Sequence, residues 1–468
     1  MAEALHTRSL SSVLADICRG ALRSRMLTDA LLERIAEREP HSRAFVQVLS
    51  KSARAEADAA DAALQAGKPP GLLHGVPIAI KDLLQTRGVP TSCGTTVLAD
   101  WRPVADATVV ARLRAAGAVI IGKVKLTEGA YSHHHPDVLA PINPRRADLW
   151  TGVSSSGSGV AVADQLCFGA IGSDTGGSIR FPSACCAVVG LKPTYGRVSR
   201  FGAFPLAESL DHVGPMARCV EDVARIYMAI AGFDALDATS LNVPVPAPPL
   251  FGPRDEVGAT AAYAKGLRVG FDAAFASEGV ASEVVAVVHD AMQRLRAAGA
   301  EIVPVYVPPW RALVQGWVMT TAVEVALAHQ PTFPAERRRY GPHLSSLLDL
   351  GTRVTGQDYA VLERARERFR ADLQAMFKRH ELAVLLCPAM PVPTPLTSAL
   401  DARPGTADGV APMITFTAPF NYSGHPSLTL PAGQAADGRP IAIQLIAALQ
   451  EEATLFGAGM CWEHARQG

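Results

Sequence analysis

Two short loops rich in serine and glycine hold the residues best suited to chemistry. They are Thr151-Gly152-Val153-Ser154-Ser155-Ser156-Gly157-Ser158-Gly159 and Gly172-Ser173-Asp174-Thr175-Gly176-Gly177-Ser178-Ile179-Arg180-Phe181-Pro182. Glycine lets backbone pass close to a ligand or take positive φ, and a serine hydroxyl both donates and accepts hydrogen bonds. Such a pair of loops suits a flexible linker, a phosphate cradle or a hydrolytic site. The apolar runs between them, Val160–Leu166 and Phe168–Ile171, read as buried structure and argue against a linker. A phosphate cradle wants a basic cluster nearby, and the first loop has none.

Other motifs fail on inspection. Gly117-Ala118-Val119-Ile120-Ile121-Gly122-Lys123-Val124 has P-loop spacing until Val124 replaces the required Ser or Thr, and its interior reads as a buried strand. The run His133-His134-His135 invites a metal reading. Consecutive side chains diverge, however, and no second cluster has ligand spacing, so a polar loop near a pocket is expected and no metal. Eight cysteines without a CxxC make neither a zinc site nor a disulfide framework, and Cys185 and Cys186 read as buried thiols. No serine sits in a GxSxG elbow, which argues against the α/β-hydrolase class.

The elements that must position these loops follow from periodicity. Residues 9–65 show helical spacing at Leu27, Ala30, Leu31 and Ile35, so residues 1–68 read as a helical arm ending at Gly67–Gly71. From there strands and helices alternate: Val76–Ile80 as strand, Thr108–Ala116 as helix, Ala118–Ile121 as strand. A proline-rich passage between Asp234 and Gly266 must run as surface loop. The alternation then resumes with strand Leu267–Phe271, a helix capped by Ser282 with the stripe Val284, Val288, Met292 and Leu295, and strand Ile302–Val307. A second helix carries Leu362, Phe369, Leu373 and Met376. The expected fold is a single large α/β/α layered domain with a central twisted mixed sheet, residues 69–232 forming the core with the loops and 233–468 completing the same sheet and covering the pocket.

Composition sets limits on partners. The chain has 468 residues, with 44 Lys+Arg against 44 Asp+Glu. No global field draws nucleic acid or an anionic membrane. The N-terminus lacks a basic start followed by an apolar core, and no run reaches the roughly 18 apolar residues of a spanning helix. A reduced, cytoplasmic, soluble protein is expected.

The sequence resembles the amidase signature hydrolases. The resemblance spans nearly the whole chain and is most specific in Gly75-Val76-Pro77-Ile78-Ala79-Ile80-Lys81-Asp82, the Ser/Gly loop at 152–159, and Asp174–Pro182. It continues through Gly190–Ser199, Asp211–Pro215, Asn421–Ser427 and Pro440–Leu445. The resemblance implies Ser178 as nucleophile, Lys81 as base and Ser154 as the middle serine, whose peptide bond to Val153 is cis in that family. The backbone N–H groups of Thr175, Gly176, Gly177 and Ser178 correspond to the oxyanion hole. Ser155 matches a serine that hydrogen-bonds within the loop, and Asp174 and Arg180 match positions that brace the nucleophile. One departure is Val153, where the family commonly has glycine; a β-branched residue is stiff and disfavours positive φ.

The implied chemistry places demands on these residue types. A free lysine has a pKa near 10.4, so about one in 2,500 is neutral at pH 7, and Lys81 must be desolvated to serve as a base. The expected activity is hydrolysis of amides or amide-like bonds such as carbamates and anilides through an acyl-enzyme, without a cofactor. Tyr131, His133, His134 and Trp317 are candidates for the pocket. Expected partners are a small amide or carbamate substrate and water, with the protein a monomer or homodimer. Two alternatives remain: the glutamine-hydrolysing subunit of a tRNA-dependent amidotransferase, which usually carries Gln at the position of Phe181, and a member of the family without activity.

Overall fold

The structure, a computed structural model, describes residues 4–248, 262–401 and 411–467. Among them lie eleven strands: β1 (Phe45–Val48), β2 (Pro77–Lys81), β3 (Val119–Val124), β4 (Gly169–Asp174), β5 (Val189–Lys192), β6 (His212–Ala217), β7 (Arg268–Phe271), β8 (Glu301–Pro304), β9 (Val384–Pro388), β10 (Ser427–Gln434) and β11 (Pro440–Ile446). They form one sheet in the order β1-β3-β2-β4-β6-β5-β10-β11-β9-β7-β8. The sheet is mixed: β2 runs parallel to β3 and β4, β7 runs parallel to β8 and β9, and antiparallel pairs join the two groups. Helices flank it, and both halves of the chain contribute strands, as the alternating pattern implies.

The strands nearest the chemistry are the most deeply covered. Every residue of β2, β3 and β4 is buried, which is why their sequences read as apolar runs without alternation. Three details depart from the sequence reading. The N-terminal segment is not helical throughout: Phe45–Val48 pairs with β3 as an edge strand, too short for its period to stand out between two helices. Ser282 is the first helical residue and not the cap, a place taken by Ala281 without a side-chain hydrogen bond. Strand β8 ends at Pro304, short of Val307. The proline-rich passage has no regular structure over Val243–Pro248, and its remainder through Ala261 lies outside the described residues.

Candidate active site

Strands β2 and β4 lie side by side and parallel, with Ile78 opposite Gly169 and Ile80 opposite Ile171. Their carboxyl ends therefore release Lys81 and the Ser173-Asp174 pair at the same edge, where open parallel sheets commonly bind ligands. The first Ser/Gly loop meets them at this edge. Gly152 has φ +76, and a Cβ there would sit 2.4 Å from the Pro182 nitrogen, so the loop can pass only as glycine. The Val153–Ser154 peptide is cis, and Val153 is not among the residues with positive φ, so its branched side chain meets no left-handed backbone. The Thr127 N–H donates to the Ser154 carbonyl at 3.2 Å and fixes the turn.

Lys81 is wholly buried. Its amine contacts three hydroxyls: Ser154 Oγ at 2.7 Å, Ser173 Oγ at 2.8 Å and Ser155 Oγ at 2.9 Å. Burial pushes its pKa from 10.5 down to about 7, against an opposite pull from Asp211 and Asp174. Ser155 also donates to the Ser173 carbonyl at 3.1 Å and accepts from the Ser173 N–H at 3.2 Å, so it ties the two loops together.

The turn carrying Ser178 is held from below by one carboxylate. Asp174 accepts from the N–H groups of Gly177 at 2.9 Å, Ile179 at 3.0 Å and Arg180 at 3.3 Å. Its two oxygens also receive the Arg180 guanidinium, at 3.0 and 2.8 Å, and Asn421 Nδ2 at 2.8 Å. Burial alone would raise this carboxyl; the Arg180 guanidinium overrides it and holds the group well below the usual carboxylate range. Above, Trp317 Nε1–H donates to the Thr175 carbonyl at 3.0 Å and the Thr417 hydroxyl to the Gly176 carbonyl at 2.5 Å. Gly177 has φ +132, and a Cβ there would meet the Phe181 ring at 2.5 Å. One expectation needs correction: the Gly177 N–H does not face outward for an oxyanion, because Asp174 Oδ1 takes it.

Ser178 is 8% exposed and opens onto a cavity of about 920 Å³. Tyr131, His133, His134 and Trp317 all line it, with Phe181 and Trp150. The Tyr131 and Trp317 rings stack at 6.4 Å, His133 stacks on His343 at 3.6 Å, and Trp150 tilts against Phe181 at 5.9 Å. Burial brings His134 down to about 4, so this ring is neutral at ordinary pH; its Nε2 lies 3.1 Å from Ser156 Oγ. Among the described residues no cluster of three or more metal-ligating side chains occurs.

Sequence reasoning missed several contributors. Ser173 adjoins Asp174 in the motif, but its role needs the strand register to become visible. Asp211 and Asn421 fall in quoted motifs without a role, and Thr417 carries no signal at all.

Buried lysine, serine hydroxyls and a tightly turned serine beside a cavity define a serine hydrolase on an open α/β sheet. The amidase family model matches residues 26–456. A Mycobacterium tuberculosis protein assigned as an amidase, AmiD, is 40% identical over 451 residues, covering 96% of this chain and 92% of that one. A glutamyl-tRNA(Gln) amidotransferase subunit from Roseiflexus sp. is 38% identical, covering 98% of this chain and 96% of the relative. Among solved structures, the native peptide amidase from Stenotrophomonas maltophilia superposes with a TM-score of 0.81 at 29% identity, over 98% of this chain and 97% of that one. The chain belongs to the amidase family and is a hydrolase acting on amides. No helix among the described residues is long and apolar enough to cross a membrane.

Proposed function

We propose that the protein hydrolyses amides of small apolar acids or amines through an acyl-enzyme on Ser178. The observation that carries this reading is the contact of a wholly buried Lys81 amine with Ser154 at 2.7 Å, in a setting that leaves the amine largely neutral above pH 7. The neutral amine takes the Ser154 proton while Ser154 takes that of Ser178, whose oxygen attacks the substrate carbonyl. The N–H groups of Thr175, Gly176 and Ser178 are the donors for the oxyanion, since that of Gly177 is engaged. Collapse of the intermediate returns the proton through Ser154 to the leaving amine. Water then attacks the acyl-enzyme by the same relay and releases the acid.

Aromatic walls on the cavity favour flat apolar groups, so aryl amides are the first substrates to try, with aryl carbamates beside them. The amidotransferase reading is weaker, because Phe181, facing Trp150, presents an apolar ring where that subunit usually carries Gln. Ser178→Ala should abolish release of aromatic amine from anilides and labelling by a serine-directed phosphonate. Labelling that persists on another serine would refute the assignment. Turnover of glutamine alone, with no anilide cleaved, would favour the amidotransferase reading.

A further inference from the structure

Among the described residues that line the cavity, Arg43 is charged, unpaired and unused by the hydrolytic mechanism. Arg43 follows the helix Ser24–Ser42 in left-handed backbone, with φ 52 and ψ 34. Helix ends ordinarily place glycine or asparagine in that conformation, because a Cβ crowds the following carbonyl.

The turn is rigidly built. Glu39 accepts the Ala44 N–H at 3.0 Å and the Phe45 N–H at 2.9 Å, so its carboxylate is committed to backbone. The Ser42 carbonyl accepts from Ile142 N–H at 2.9 Å and the Ala44 carbonyl from Lys125 N–H at 2.8 Å. The first of these bonds fastens the turn to the segment Ala140–Ile142, which lines the catalytic cavity together with Arg43. Besides the histidines, the described lining residues with acidic or basic side chains are Arg43, Asp437 and Arg439. Arg439 pairs with Asp437 at 2.6 Å. Arg43, half-buried, makes no ion pair or side-chain hydrogen bond among the described residues. Among its described lining residues the cavity is mostly apolar and aromatic, and Arg43 is the guanidinium there without an ion pair.

We propose that Arg43 anchors a carboxylate on the substrate, so that the preferred substrates are amides with an apolar body and one anionic end. A guanidinium offers a carboxylate two parallel charge-assisted hydrogen bonds, and nearby apolar surface lowers the competition from water. This inference rests on the cavity being the amide site proposed above.

The test uses matched pairs: glutaryl-4-nitroanilide against its methyl ester, and N-acetyl-4-aminobenzoate against its methyl ester. They place the carboxylate on the acyl or the amine side, and release of aromatic amine is the readout. In at least one pair kcat/KM is expected to favour the carboxylate by about ten-fold or more, from the strength of hydrogen bonds to charged groups. That ratio should fall with added salt, approach one in Arg43→Gln and be partly kept in Arg43→Lys. Ratios near one for both pairs in the wild type, or a preference that survives Arg43→Gln, would overturn the proposal. Calorimetric binding of each pair in a Ser178→Ala background gives the same ratio without turnover, so a variant too slow to assay still decides. Binding preference without any wild-type turnover would retain Arg43 as anchor and sink the hydrolytic reading instead.

Discussion

At pH 6, Lys81→Met is expected to abolish activity and yet raise stability. Burial takes the Lys81 pKa from 10.5 to about 7, a difference of about 3.5 units or ~5 kcal/mol at about 1.4 kcal/mol per unit. The folded value lies below the unfolded one, so between these two pH values the unfolded chain binds more protons and stability rises with pH. Below about pH 7 the folded protein bears the whole penalty of a desolvated charge. Methionine has similar length and nothing to ionise. It forfeits the bonds to Ser154, Ser155 and Ser173, at about 1 kcal/mol each. The remainder, ~2 kcal/mol in favour of the variant at pH 6, corresponds to about 2 °C in melting temperature for a chain of this length.

Scanning calorimetry of both proteins across pH 6 to 10 measures this difference, which should shrink and change sign as pH rises. A variant less stable than wild type by a constant amount at every pH would refute the claim that Lys81 titrates near neutrality. The companion measurement is kcat/KM against pH. It should rise about ten-fold per unit up to about pH 7 and then level, because the base must be neutral and its pKa is about 7. A rate that keeps climbing to pH 9 would mean an unperturbed lysine.

Two other substitutions probe the support of the turn. Arg180→Met leaves the buried Asp174 carboxylate without its cation and should cost about 3–5 kcal/mol, read from denaturant unfolding. Because the wild-type carboxyl is held low by Arg180, its stabilisation is present above the ordinary aspartate range and lost only in strong acid; the variant should acid-unfold at higher pH. Trp317→Phe keeps an aromatic ring, though a smaller one, and removes the Nε1–H bond to the Thr175 carbonyl. A fall in kcat of about ten-fold with little change in KM is expected if that bond aims an oxyanion donor, and an equal loss through KM alone would assign Trp317 to substrate binding.

The parts of this molecule legible in sequence are those set by continuous local pattern. The apolar runs ending in Lys81 and Asp174 announce strands buried on both faces, and glycine at 152 and 177 announces backbone that no larger residue could follow. Short elements are illegible: four residues from Phe45 to Val48 are too few to show a period, and their strand character comes from pairing with β3. Contacts made across long chain separations are illegible for a different reason. Thr417 meets Gly176 and Asn421 meets Asp174 only once β10 has joined β5 at the centre of the sheet, and nothing near either residue in sequence signals that closure. The engagement of the Gly177 N–H is hidden because a motif fixes residue types but not which partner captures each donor.

That capture explains how a lysine can work as a base within reach of two carboxylates. Had Asp174 or Asp211 paired with Lys81, the ammonium would have been stabilised and the proton acceptor lost. Each is committed elsewhere. Asp174 is saturated by Arg180, Asn421 and three backbone N–H groups. Asp211 accepts the Thr175 hydroxyl at 2.5 Å and the N–H groups of Leu206 and Ala207; burial nevertheless lifts it to about 6, so it is mostly ionised at the pH where Lys81 gives up its proton, and these hydrogen bonds keep its oxygens occupied. The carboxylates brace the turn that holds Ser178, and only hydroxyls are left to touch the amine. A lysine in such surroundings is costly to charge, and this cost is what makes its neutral form available to Ser154.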